Sequence, residues 1–279
     1  MHLIISLLSF ALLLMPAPTS GSGPSPAKAR VELVPSVDRV VPGEAFDVAV
    51  VFTIEPHWHL YWLNPGSSGI PPEVKWDLPP GYTVEAIEFP APYRIADPNG
   101  GITFGYENEL ILIARVIPSL STPLDTDVSL NASVTWLACK EVCVSESASA
   151  SVKMMVAVGN ARANELVHDR ARAAMARPIW DDDGASLTAP AVQVAPDRVE
   201  WHLTLPAGAS QVDAFAYDSP DAFRSEASVE FKDKVVVVRR IFDGLQPNSL
   251  TIVTYVDAEG RRHAVRLRPP GVVTESKPQ

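Results

Sequence analysis

Cysteine is nearly absent from this sequence of 279 residues, which has two, Cys139 and Cys143. A disulfide-dense scaffold is thereby excluded, and any sulfur chemistry must run through this one pair. Positive charge is also short: 23 Lys and Arg stand against 33 Asp and Glu, a net charge of -10. That balance argues against a nucleic-acid partner, whose phosphates demand concentrated basic charge. After Met15 no apolar run approaches the roughly eighteen residues of a membrane-spanning helix. Hydrolase and nucleotide-site motifs are missing too. Ser67-Ser68-Gly69 lacks the glycine frame of a nucleophile elbow, and there is no His-Glu-x-x-His zinc motif. No Gly-rich stretch carries the lysine of a phosphate-binding loop.

What is present begins with a nearly unbroken apolar run, Leu3 to Met15, followed by the small and turn-forming stretch Pro16 to Pro26. About thirteen apolar residues are too few to cross a bilayer as a mature helix, so the pattern reads as a secretory signal peptide. Residues 1–29 are expected to be this leader, cut near Ser20 or after Ala27-Lys28-Ala29. No cysteine follows it directly, which argues against a lipid anchor. The remaining 250 or so residues suffice for two compact domains.

Short runs rich in Val, Ile, Leu and aromatics predict strands at Val31 to Val34, Ala45 to Ile54, Tyr82 to Phe89, Glu109 to Ile117, Val128 to Trp136 and Ala148 to Val158. Pro-Gly and Asn-Pro-Gly sequences punctuate them, and strict alternation in Val128 to Val134 marks one buried face. The pattern is mainly β, an antiparallel sandwich over residues 30–158. Asn160 to Arg177 places Leu166, Val167, Ala171, Ala174 and Met175 at helical spacing before Pro178, predicting a connecting helix. With the acidic turn Asp181 to Gly184, it fills residues 159–184. A second β-sandwich-like domain is expected over 185–270, with strands at Ala191 to Val194, Arg198 to Leu205, Val212 to Ala216, Val229 to Arg239, Ser249 to Val256 and His263 to Leu267. Residues 271–279 read as a flexible tail.

The chemistry centres on Cys139-Lys140-Glu141-Val142-Cys143. A fully extended chain would hold the two alpha carbons about 13 Å apart, whereas a disulfide needs about 4.4 to 6.8 Å, so the three intervening residues must turn. Closing so small a ring stabilises a fold by only about 2 kcal/mol in the chain-entropy view. A structural staple, a redox couple and a metal-ligating pair all fit this spacing. Lys140 would favour a nearby thiolate, while Glu141 and Glu146 would oppose it.

Elsewhere, His57-Trp58-His59-Leu60-Tyr61-Trp62-Leu63-Asn64-Pro65-Gly66-Ser67-Ser68-Gly69, Trp76-Asp77-Leu78-Pro79-Pro80-Gly81, Phe89-Pro90-Ala91-Pro92 and Phe104-Gly105-Tyr106-Glu107 form an ordered series that ends in Trp136-Leu137-Ala138-Cys139-Lys140-Glu141-Val142-Cys143. Together these resemble the amino-terminal periplasmic domain of DsbD-type thiol:disulfide interchange proteins, especially the ScsB-like variant linked to suppression of copper sensitivity. The resemblance spans residues 30 to 158. It implies an immunoglobulin-like, periplasmic domain that relays electrons through Cys139 and Cys143 as the catalytic pair, with no cofactor required. The implied partners are soluble periplasmic thioredoxin-fold proteins and a membrane electron-transfer module, which here would be separately encoded.

Around that pair, Phe104 and Tyr106 are candidates for a mobile cover, and Trp136, Lys140 and Glu141 for shaping the site. Trp58, Tyr61 and Trp62 read as packing residues. A competing chemistry rests on His57 and His59. In a strand these two would share one face, and with Cys139 and Cys143 they would suit Cu(I) or zinc. A third possibility is a noncatalytic interaction protein that uses the bridge as a staple.

Overall fold

The computed structural model describes residues 27–96, 100–172, 175, 177–178, 185–188, 191–217, 226–232, 235–242 and 249–269. The apolar run of the expected leader, the Asp181 to Gly184 turn and the 271–279 tail lie outside these residues. No helix among the described residues is long and apolar enough to cross a membrane.

Ten strands form the first unit. They are β1 (Ala29–Pro35), β2 (Phe46–Ile54), β3 (His59–Gly66), β4 (Glu73–Asp77) and β5 (Thr83–Val84). There follow β6 (Tyr93–Ala96), β7 (Ile102–Glu107), β8 (Glu109–Ile117), β9 (Asp127–Cys139) and β10 (Cys143–Met155). One sheet runs β1-β2-β8-β5; the other runs β10-β9-β3-β7-β6, with β4 also paired to β9. Their facing sides bury Val48, Val50 and Phe52 of β2, Leu60 and Trp62 of β3, Leu110 and Leu112 of β8, and Leu130, Val134 and Trp136 of β9. Phe52 meets Trp136 edge to face, ring centres 5.6 Å apart, a geometry the ring quadrupoles favour.

The β2 sequence is apolar at successive positions because both of its faces are covered. Ala49 and Val51, on the face away from the sandwich core, cluster with Ile111, Ile113, Val167, Ala171 and Met175. The covering element is a single π-helical turn, Leu166–Ala171, much shorter than the helix expected over Asn160 to Arg177. Competing backbone partners shorten it. Ala163 bridges Val37, Asn164 donates its N–H to Ser36 O at 2.8 Å, and Arg177 and Pro178 pair in parallel with a strand of the second unit. Arg172 adds an ion pair to Asp47.

The second unit contains β11 (Arg177–Pro178), β12 (Ser186–Leu187), β13 (Val192–Ala195), β14 (Arg198–Thr204) and β15 (Ser210–Tyr217). It continues with β16 (Glu226–Lys232), β17 (Val235–Ile241), β18 (Leu250–Val256) and β19 (Arg262–Leu267). Its sheets run β11-β19-β18-β15 and β12-β14-β17-β16, the latter with β13 paired to β14. Trp201, Leu203, Val236, Val238, Val253, Tyr255 and Val265 fill the space between them. The run Val229 to Arg239, expected as one strand, contributes instead to two antiparallel strands in which Val229 faces Val238. The chain is thus nearly all β, two antiparallel sandwiches in series.

The units are fastened together. Phe215 of β15 meets Trp62 and Phe104 edge to face, at 6.1 and 5.2 Å. Arg94 of β6 makes a two-pronged ion pair to Asp213, at 2.8 and 2.7 Å. Arg262 of β19 donates to the carbonyls of Ala91 and Pro92 while lying over the Tyr93 ring.

Candidate functional site

Strands β9 and β10 are the two arms of one long hairpin, and Cys139 and Cys143 are its last register pair. Lys140-Glu141-Val142 closes the turn, so local backbone pairing brings the alpha carbons to 4.1 Å and the sulfurs form a disulfide. Alternation along β9 buries Leu130, Ala132, Val134, Trp136 and Ala138 on the core side. Cys139 points to the opposite face and is still only 3% exposed. It is covered because His59, its register partner across β3, and Tyr61 are buried on that same face.

The two cysteines differ sharply in exposure. Cys139 is buried and Cys143 exposed. Tyr61 sets its hydroxyl 3.7 Å from Cys143 Sγ, and its ring meets His59 edge to face at 5.2 Å. A disulfide sulfur carries no hydrogen, so the hydroxyl is the donor in this contact. The β3 and β7 backbones run close together behind this group. A Cβ on Gly105, the partner of Tyr61, would lie 2.1 Å from Leu60 O.

Chain tracing shows what covers Tyr61. The end of β3 pairs with β7 at Gly66, whereas β4 resumes on the other side of β3, paired to β9 from Glu73. The segment between them must cross the outer face of β3. There Gly69 (φ 126°) lies so near the Tyr61 ring that a Cβ would come within 2.2 Å of it. A non-glycine residue would be strained there on both counts.

Lys140 and Glu141 are exposed in the turn beside the bridge. Trp136 lies on the core side and donates Nε1–H to Glu146 at 3.0 Å. The same carboxylate accepts the backbone N–H groups of Lys28, at 2.9 and 3.0 Å, and Ala29, at 3.3 Å. Glu146 is therefore engaged in holding the start of β1. Phe104 packs on Phe215 beneath Arg94, and Tyr106 is buried with its hydroxyl donating to Pro90 O at 2.7 Å. Burial pushes the Tyr106 phenol well up from its ordinary range. Among the described aromatic residues, Tyr61, expected as packing, is the one whose polar atom meets a sulfur. Its role depends on β3 lying beside β9, which no local pattern discloses.

His57 and His59 do not share a strand face. His57 is exposed in the turn before β3 with φ 70°, while His59 is buried opposite Cys139. Among the described residues no group of three or more His, Cys, Asp or Glu side chains is gathered for a metal ion.

The family model for the amino-terminal region of thiol:disulfide interchange protein DsbD matches residues 30–153. The fold is similar to the N-terminal periplasmic domain of ScsB from Proteus mirabilis, with 17% identity over 86% of this chain and 90% of that one, at a TM-score of 0.56. The reduced DsbD N-terminal domain of Neisseria meningitidis also matches, 15% identical over 48% of this chain and 88% of that one, at a TM-score of 0.28. No curated protein sequence matches the chain. Residues 30–153, which hold the Cys139–Cys143 bridge, thus form a DsbD-type amino-terminal domain similar in fold to that of ScsB.

Proposed function

We propose that residues 30–158 form a periplasmic redox domain that relays electrons between a membrane redox module and soluble thioredoxin-fold proteins. The observation that carries this reading is the asymmetry of the bridge: one cysteine is buried and the other is an exposed residue at a hairpin tip. An incoming thiolate can reach Cys143 Sγ; as the new S–S bond forms, the old one breaks and Cys139 leaves as a thiolate opposite His59. A second donor thiolate then attacks the donor's own sulfur and releases Cys143. The donor ends as a disulfide and this protein as a dithiol, two electrons and two protons richer. In the reverse half-reaction the Cys143 thiolate attacks an oxidised acceptor, and Cys139 resolves the mixed disulfide. Partner thiols alone balance both steps.

Exposed apolar side chains next to the bridge support docking of a protein rather than a small thiol. Val142, inside the turn, is 66% exposed, and Ile70, next to Gly69 in the crossing segment, is 64% exposed. Reduced Cys139→Ser protein, mixed with oxidised periplasmic thioredoxin-fold proteins and quenched in acid, should accumulate a mixed disulfide through Cys143. Cys143→Ser protein should give none. Absence of adducts from both variants across the panel would defeat the relay assignment.

A further inference from the structure

Strand β3 does not stay beside β7 along its length. Tyr61 pairs with Gly105 and Gly66 with Thr103, so five steps along β3 answer two along β7 and the intervening residues bulge outward. Asn64 lies in that bulge and bonds in two directions. Its Nδ2 donates to Ala216 O of β15 in the second unit at 2.7 Å, and its Oδ1 accepts the N–H of Gly66 at 3.0 Å. Only one orientation of the amide satisfies both bonds, because the carbonyl requires a donor and the N–H an acceptor.

Gly66 begins the segment that crosses Tyr61. Its φ of 84°, with Ile102 O 2.3 Å from where a Cβ would sit, leaves the chain little choice of direction there. Ser67 continues the attachment: its N–H donates to Ile102 O at 2.9 Å and its hydroxyl accepts from Ile102 N at 3.0 Å. Two residues later Gly69 rests on the Tyr61 ring, whose hydroxyl touches Cys143 Sγ. A continuous series of contacts thus joins the backbone of the second unit to the reactive sulfur.

We infer that Asn64 is a positioning residue through which the second unit holds the 66–70 segment over Tyr61 and so limits access to the disulfide. This assigns the second unit a part in the exchange reaction, and the inference rests on the redox reading above. The interface around Asn64 is built for fixed docking: Phe215 wedges against Trp62 and Phe104, and the Arg94–Asp213 pair lies alongside.

The test uses the oxidised full-length chain and dithiothreitol as the attacking thiol. Asn64→Asp and Asn64→Ser each keep an oxygen for the Gly66 N–H and lose the bond to Ala216 O. Either variant should be reduced about five-fold faster than wild type, the effect of losing one partly buried hydrogen bond. Hydrogen–deuterium exchange should rise in residues 66–70 and stay at the wild-type level in β17. Gly69→Ala, which displaces the segment directly without touching the interface, should match that acceleration. Acceleration by Gly69→Ala but not by either folded Asn64 variant would overturn the brace. Unchanged rates in all three would overturn the cover itself. Dithiothreitol needs no protein partner, so accelerated variants combined with failed mixed-disulfide trapping would leave the brace standing and end only the relay reading.

Discussion

The Tyr61 hydroxyl and Cys143 Sγ are 3.7 Å apart, although the two residues are far apart in sequence and belong to different strands. In the reduced protein the thiolate form of this sulfur is a stronger acceptor for the same O–H. Tyr61→Phe removes that donor and leaves the ring beneath Gly69. A smaller thiolate fraction, partly offset by higher intrinsic nucleophilicity, should slow attack by Cys143 on an oxidised partner about threefold at neutral pH. Stopped-flow fluorescence checks this, and an unchanged rate would show that the contact is only steric.

Reduction should cost the fold little. The bridge closes a ring of about five residues, and the chain-entropy estimate of about 2 kcal/mol corresponds to a fall of about 4–8 °C in Tm for a protein of this size. Calorimetry on oxidised and reduced protein gives the difference. A collapse of structure on reduction would mark the bridge as a staple.

Glu146 accepts Trp136 Nε1–H and the Lys28 and Ala29 amides. Truncation in Glu146→Ala leaves these donors without their carboxylate and should destabilise the protein by about 2–3 kcal/mol in urea unfolding. Deuterium uptake should rise first at the start of β1. Loss confined to exchange activity, with stability intact, would contradict this assignment.

Asp38 gives stability a pH dependence. The Arg39 guanidinium, and next the Arg162 backbone N–H, hold its carboxyl well below the usual carboxylate range. A folded pKa beneath the unfolded value of about 3.9 means stabilisation that is complete well above that value and lost as pH falls toward the folded one. Asp38→Asn keeps an acceptor for the Arg162 amide and discards the charge. Its Tm should lie below wild type at pH 7, and the gap should shrink steadily below about pH 4. A gap that persists in acid would assign the effect to hydrogen bonding instead.

Much of the sandwich was legible because burial leaves a period in the sequence. The alternation of Val128 to Val134 survives as the buried series Leu130, Ala132 and Val134, and Glu109 to Ile117 is strand β8 as expected. Strands β3, β4, β6 and β7 were not legible. They are short or rich in aromatics and proline, and β3 and β4 find their partners far along the chain, as with Trp76 beside Ala132. Val229 to Arg239 misled for a different reason: its apolar pattern runs on through Asp233-Lys234, which carries no Gly or Pro to mark a break. At the site, the cysteine pair could be read from spacing and family motifs. The participation of Tyr61 and Asn64 could not, because it arises where β3 departs from β7 and meets β9 and β15.

The 13 register pairs of the β9–β10 hairpin set the two cysteines opposite each other by backbone pairing as well as by the bridge. When a partner is tethered through Cys143, the Cys139 thiol is already within reach, and its attack is a first-order event of high effective molarity. The dwell time of the covalent complex with an oxidised acceptor would then be set by this protein rather than by chance encounter with a third thiol. Wild-type adducts should be fleeting, and long-lived ones should belong to protein that lacks Cys139.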